Sequence, residues 1–192
     1  MLLRKKQAKN AALLSAAATA LTVKTALVGP VDHAQPRLTA AVEPTSAIVG
    51  DDTLVRPDHP YSRALVRKIL VEAAARHQMD PKLVLALSWW ESGWDQLRVS
   101  ETGAVGLMQV QPDTAKEAGP ALLNRDVDLG DPYDNADVGV AILRQDLQAF
   151  GSPEKALAAY YQGPTSLKAD GMFPDTQQYV EGILDLASRT NP

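Results

Sequence analysis

Glu91 closes the apolar run Val84-Leu85-Ala86-Leu87-Ser88-Trp89-Trp90. A carboxyl beside tryptophans at the end of an apolar helix is a candidate for partial burial, and burial disfavours its charged form. The last turn of a helix acts in the same direction, because its free carbonyls carry partial negative charge worth ~0.3–1 kcal/mol against an anion. Both effects hold a proton on Glu91 near neutral pH, which is what a general acid for glycoside cleavage requires. The competing reading is a solvated glutamate at a helix end, flanked by core tryptophans.

A second segment follows, Gly103-Ala104-Val105-Gly106-Leu107-Met108-Gln109-Val110-Gln111-Pro112. Its glycines permit close backbone approach or unusual dihedrals. Gln109 offers an amide that both donates and accepts, suited to a sugar hydroxyl or acetamido group. Met108 would supply an adaptable apolar wall. The alternative is a glycine-containing loop whose Leu and Met plug the core. The other acids near Glu91 in sequence are Asp95, Glu101 and Asp113, read as two solvated loop residues and a first-turn helix charge. His33, His59 and His77 are too scattered for a metal site, and no cofactor is expected. Of Trp89, Trp90 and Trp94, one or two are expected in the core, the remainder being free to stack on a sugar ring.

These side chains need helices to position them. From Tyr61 the apolar spacing is helical, with Ser62 as N-cap and Leu65, Ile69 and Ala73 on one stripe. Asp80 as N-cap with Pro81 at the first helical position starts the helix that carries Glu91, and Ser92-Gly93 ends it. Pro112 opens a short helix expected to stop before Gly119-Pro120. A longer helix is predicted over about 132–150, another from Ser152-Pro153 to about Tyr161, and a last one from near Thr176. No stretch alternates with period two for long enough to make a strand. The fold class is therefore mainly α.

The chain has 192 residues, with 45% hydrophobic and 22% charged residues and no cysteine. That composition supports a packed core and excludes disulfide scaffolds, thiolate metal sites and a cysteine nucleophile. Residues 1–30 hold Arg4, Lys5, Lys6, Lys9 and Lys24 and no acid, leaving 14 bases against 23 acids in the remainder. A body that acidic is a poor partner for nucleic acid. The basic start followed by uncharged Ala11–Val23 makes residues 1–28 a secretory signal peptide or an uncleaved N-terminal membrane anchor; an ordinary Ala-rich helix is the remaining reading. Residues 29–57 are a Pro-rich linker, and 58–192 form the folded domain, expected to be monomeric.

The run Glu91-Ser92-Gly93-Trp94, then Ser100, then Gly103 to Gln109 and Pro112-Asp113-Thr114-Ala115, resembles the catalytic domain of soluble lytic transglycosylases, bacterial enzymes that cleave peptidoglycan. The resemblance continues at Asn135 and Gly139, at Ala159-Tyr160-Tyr161-Gln162-Gly163-Pro164, and at Thr176-x-x-Tyr179-Val180. It implies a lysozyme-like helical domain with an active-site groove that acts on peptidoglycan glycan strands, in a protein expected to be exported, extracellular or at the cell envelope. It also implies Glu91 as the single catalytic acid and base, with Ser100 beside it orienting the carboxyl or the substrate's acetamido group. Met108 and Gln109 are expected to contact sugar, and Tyr160 to bond Glu91 or substrate. The reaction implied is cleavage of the β-1,4 bond between N-acetylmuramic acid and N-acetylglucosamine by the muramic 6-hydroxyl, leaving 1,6-anhydro ends. The family's usual Ala-Tyr-Asn-Ala-Gly reads Tyr161-Gln162 in its middle here, so a narrower groove is expected at that point. A hydrolytic muramidase and a non-catalytic wall-binding protein are the alternatives.

Overall fold

The structure is a computed structural model that describes residues 60–191. The expected leader at 1–28, the linker at 29–57 and the first two residues of the domain lie outside the described residues.

Four of the helices begin where a side chain supplies a partner for the first free N–H groups. Helix α1 (Arg63–Arg76) is capped by Ser62, whose hydroxyl accepts from the Leu65 N–H. Helix α2 (Pro81–Ser92) is capped by Asp80 through the Lys82 N–H at 2.9 Å, and ends on Gly93 in the left-handed region at φ 67°. Helix α3 (Pro112–Ala118) runs directly into a π-helical turn at Gly119–Leu123. Helix α4 (Pro132–Phe150) starts on Asp131, which accepts from the Tyr133 and Asp134 N–H groups. Helix α5 (Pro153–Gln162) starts on Ser152. Helices α6 (Pro164–Asp170) and α7 (Pro174–Arg189) complete the order.

All described regular structure is helical, apart from two isolated bridges joining Val99 to Val105 and Val105 to Val110. Sequence periodicity located five of these helices and most of α7. It missed α6, whose seven residues contain no buried position and so leave no apolar period to detect. The stop expected before Gly119-Pro120 ends α3 itself, but the chain stays helical for one wider turn.

Helix α2 is enclosed through its middle turns. Leu83 through Ser88 are all buried, and Val84, Leu85, Ala86 and Leu87 are each 0% exposed. A helix that is apolar on every side must be enclosed by others, and here α1 and α7 pack against it while α4 and α5 pack together beside them. Fully burying one such Leu or Val contributes ~1.5–3 kcal/mol, so the helix bearing Glu91 is firmly seated. Trp94 joins the core at 5% exposure and donates its indole N–H to the Leu85 carbonyl at 3.1 Å. Trp89 meets Trp94 edge-on at 5.4 Å with the Arg63 guanidinium over its outer face. Trp90 alone of the three is exposed.

Candidate active site

The last turn of α2 carries Glu91 out of the core to a place where three elements meet. Its carboxyl accepts a hydrogen bond from the Tyr179 hydroxyl of α7. Desolvation pushes the Glu91 pKa from an ordinary 4.5 up to about 7; the Tyr179 hydrogen bond and the Arg98 guanidinium pull the other way and lose. The residue as a whole keeps some open surface, so the carboxyl is shielded by protein yet reachable. A proton held at neutral pH on a reachable, oriented carboxyl is the equipment of a general acid.

Tyr179 is itself buried. Its ring stacks on Tyr161 at 4.4 Å and 26°, and meets Trp90 edge-on at 6.3 Å. Burial and the neighbouring Glu91 charge drive its hydroxyl well above the usual tyrosine range, so it acts as a donor throughout the physiological range. The start of α7 is tied to α5 by Gln162, which is buried and fully bonded. Its amide donates to the Ser166 hydroxyl and the Gly171 carbonyl, and accepts from the Phe173 N–H and the Thr176 hydroxyl. The Tyr161-Gln162 departure thus brings a ring against Tyr179 and a clasp that holds its helix.

The glycine segment lies against α2 and α4, and side chains satisfy the polar groups of its Leu107 and Met108 backbone. Ser88 and Ser92 both donate to the Leu107 carbonyl, at 2.9 and 3.0 Å. Gln96 accepts from the Leu107 N–H and donates to the Leu129 carbonyl. Asn135 accepts from the Met108 N–H at 2.9 Å and donates to the Val105 carbonyl at 2.8 Å. The Tyr160 hydroxyl donates to the Met108 carbonyl at 2.8 Å. The packing is close enough to require glycine. A Cβ on Gly106 would stand 2.4 Å from the Asn135 amide nitrogen, and one on Gly139 would stand 2.5 Å from the Met108 Cβ. At the end of this segment Gln109 takes φ 46°, a left-handed conformation rare for its type. Its amide N–H groups donate to the Arg98 and Gly106 carbonyls, and its Oε1 has no partner among the described residues.

Several expectations change. Met108 is 0% exposed and presses on Gly139, so its side chain is part of the core and not an open sugar-contacting wall. Gly139 has no side chain to fill that space, and the Met side chain fills it instead. Tyr160 does not bond Glu91: its proton goes to the Met108 carbonyl, and the tyrosine that holds the carboxyl is Tyr179. The Tyr160 hydroxyl nonetheless lies within electrostatic reach of Glu91. Ser100 makes no hydrogen bond to Glu91 either; its hydroxyl accepts from the Ala104 N–H and pairs with Thr102, bracing the turn before the glycine segment. Asp95 accepts from the Leu97 N–H, while Glu101 and Asp113 are exposed. Tyr179 was missed as a site residue because 88 positions separate it from Glu91 and no local spacing links them. Its only sequence signal was the Thr-x-x-Tyr-Val element.

A cavity of about 550 Å³ lies elsewhere, lined by residues that include Val105, Lys116, Asp126 and Leu129. Neither Glu91 nor Tyr160 nor Tyr179 lines it, and the site assignment rests on the chemistry at Glu91.

The chain is similar to known proteins. It is 37% identical over 91 residues to the transglycosylase of Enterobacteria phage PRD1, covering 47% of this chain and 32% of the relative. It is 42% identical over 60 residues to the endo-type membrane-bound lytic murein transglycosylase A of Klebsiella pneumoniae, covering 31% and 30%. Among solved structures it resembles an inactive glutamate-to-glutamine mutant of lytic transglycosylase Slt from Pseudomonas aeruginosa, with TM-score 0.58, 28% identity, and 63% of this chain against 23% of that one. The 70-kDa soluble lytic transglycosylase of Escherichia coli shares the fold, with TM-score 0.58, 24% identity, and 64% of this chain against 23% of that one. The matched part is thus about a third of the curated relatives' length and about a quarter of the structural ones. Residues 68–178, more than half of the chain, match the family pattern described as the Transglycosylase SLT domain, and with Glu91, the glycine segment and Tyr160 all inside that span, the chain belongs to this family.

Proposed function

We propose that the protein is a lytic transglycosylase that cleaves the β-1,4 bond between N-acetylmuramic acid and N-acetylglucosamine in peptidoglycan and leaves 1,6-anhydro-muramic ends. The observation that carries this reading is one shielded carboxyl, Glu91, with a pKa raised to about 7 and a tyrosine donor fixed on it. The relatives named as transglycosylases support it.

Glu91 starts protonated. It gives its proton to the bridging oxygen as the glycosidic bond breaks, and the carboxylate so formed is stabilised by the Tyr179 hydroxyl and the Arg98 charge. The same carboxylate then takes the proton from the muramic 6-hydroxyl, whose oxygen attacks the anomeric carbon of its own ring. An internal nucleophile has a high effective concentration, so no second carboxylate is needed to activate water. Gln109, with its free Oε1 and left-handed backbone, accepts from a sugar hydroxyl or acetamido N–H in this reading.

The domain at 58–192 acts as the catalytic unit, and residues 1–57 export it and tether or release it at the envelope. Cell fractionation with an antibody to the domain checks this part: catalytic chain found only in the cytosol refutes it. For the chemistry, mass spectrometry of purified peptidoglycan digested by the parent and by Glu91→Gln decides. Anhydro-muramic ends from the parent and none from the variant are expected. Reducing ends from the parent would make it a hydrolase, and equal release by both proteins would remove Glu91 from the reaction.

A further inference from the structure

One carboxyl near this site has no assigned task. Asp146 of α4 is 6% exposed, yet it makes no hydrogen bond and no ion pair among the described residues. Buried polar side chains nearly always have a partner, and leaving one without is destabilising. Burial pushes its pKa from 3.8 up to about 7, against a lowering pull from Lys168 of α6.

Its place on the helix is informative. Asn135, Gly139 and Asp146 are four and seven residues apart, so they fall on one face of α4. The first two hold the glycine segment: Asn135 bonds the Met108 N–H, and Gly139 receives the Met108 side chain. Asp146 continues that face ~10 Å further along the axis. The Tyr160 hydroxyl, bonded to the Met108 carbonyl, feels the charges of both Glu91 and Asp146. Asp146 therefore belongs to the wall that faces the glycine segment and Tyr160, beside Lys168, which lies over the Phe150 ring one turn on.

We infer that Asp146 is a substrate-binding residue whose carboxyl accepts a hydrogen bond from a hydroxyl or acetamido N–H of an amino-sugar unit bound along Tyr160. This deepens the proposed function and rests on it. A group that destabilises the free protein and finds its partner only in the complex is expected at a binding site, where local stability is given up for recognition. A purely structural Asp146 has no such rationale, because an apolar residue of similar size would suit the position better.

The test is calorimetric binding of the β-1,4-linked tetramer of N-acetylglucosamine to Glu91→Gln, with and without Asp146→Leu, alongside thermal melts of each protein. Expected is a melting point raised or unchanged by Asp146→Leu, with affinity about tenfold weaker, the loss of one charge-assisted hydrogen bond. Asp146→Asn, which keeps a carbonyl acceptor, is expected to fall between. Affinity within twofold of the Glu91→Gln parent refutes the assignment, as does a melting point well below it, which makes Asp146 structural. If the Glu91→Gln parent itself binds no tetramer, the proposed function fails and takes this assignment with it.

Discussion

Replacing Tyr179 by Phe removes one hydroxyl from the site and little else. The ring keeps its stack on Tyr161 at 4.4 Å and its edge contact with Trp90. What goes is the hydrogen bond that lowers the Glu91 pKa, while desolvation, the larger and opposing cause, stays. A hydrogen bond to a charged group is worth about 1.5–3 kcal/mol, which corresponds to about one to two pKa units. The carboxyl of the variant therefore holds its proton more tightly. In a pH profile of kcat/KM the alkaline limb, near 7 in the parent, moves up by that amount. Below the limb the rate falls, because the carboxylate formed on proton transfer has lost its donor. The same 1.5–3 kcal/mol predicts about 10- to 100-fold in kcat. Release of anhydro-muropeptides from labelled peptidoglycan across pH 4–9, with thermal melts as control, reads both quantities. An alkaline limb that stays put or moves down refutes the account of Glu91, whatever happens to the rate. A lowered melting point with an unmoved limb would assign Tyr179 a structural task alone.

Stability should fall as pH rises from about 4 to about 7. Glu91 and Asp146 both have folded pKa values raised to about 7, above those of the unfolded chain. The folded state therefore binds more protons in that window, and stability present below the unfolded values is lost toward the folded ones. Each group contributes at most about 3–4 kcal/mol; urea unfolding at pH 4.5 and 7.5 measures the difference, and Glu91→Gln should flatten part of the slope. Asn135→Ala strips partners from the buried Met108 N–H and Val105 carbonyl and should cost about 2–4 kcal/mol; an unchanged urea midpoint would show that the glycine segment does not depend on that amide.

Much of this domain is written locally. Asp80-Pro81, Asp131-Pro132 and Ser152-Pro153 each combine a side-chain acceptor with a residue that lacks an N–H, and helices begin at all three. Glu91 is legible because it ends seven residues of apolar helix that the core encloses. The glycines are legible because close backbone contact demands residues without side chains, and Gln109 because its amide both donates and accepts. Tyr160 was noticed through its motif, but its partner was not legible there: the Met108 carbonyl it bonds lies 52 positions away. Met108 shows the same limit. Its position in the motif suggested a wall of the groove, and only the arrival of Gly139 from α4 turned it into core.

The sequence by itself determined where five of the helices start, that α2 must be enclosed, and that Glu91 leaves it at the final turn, because caps and apolar spacing act over a few residues. The tertiary structure decided what surrounds that carboxyl. Tyr179 and Arg98 reach it from separate segments, and hydrogen bonding and desolvation depend on distance in space, which separation along the chain does not record.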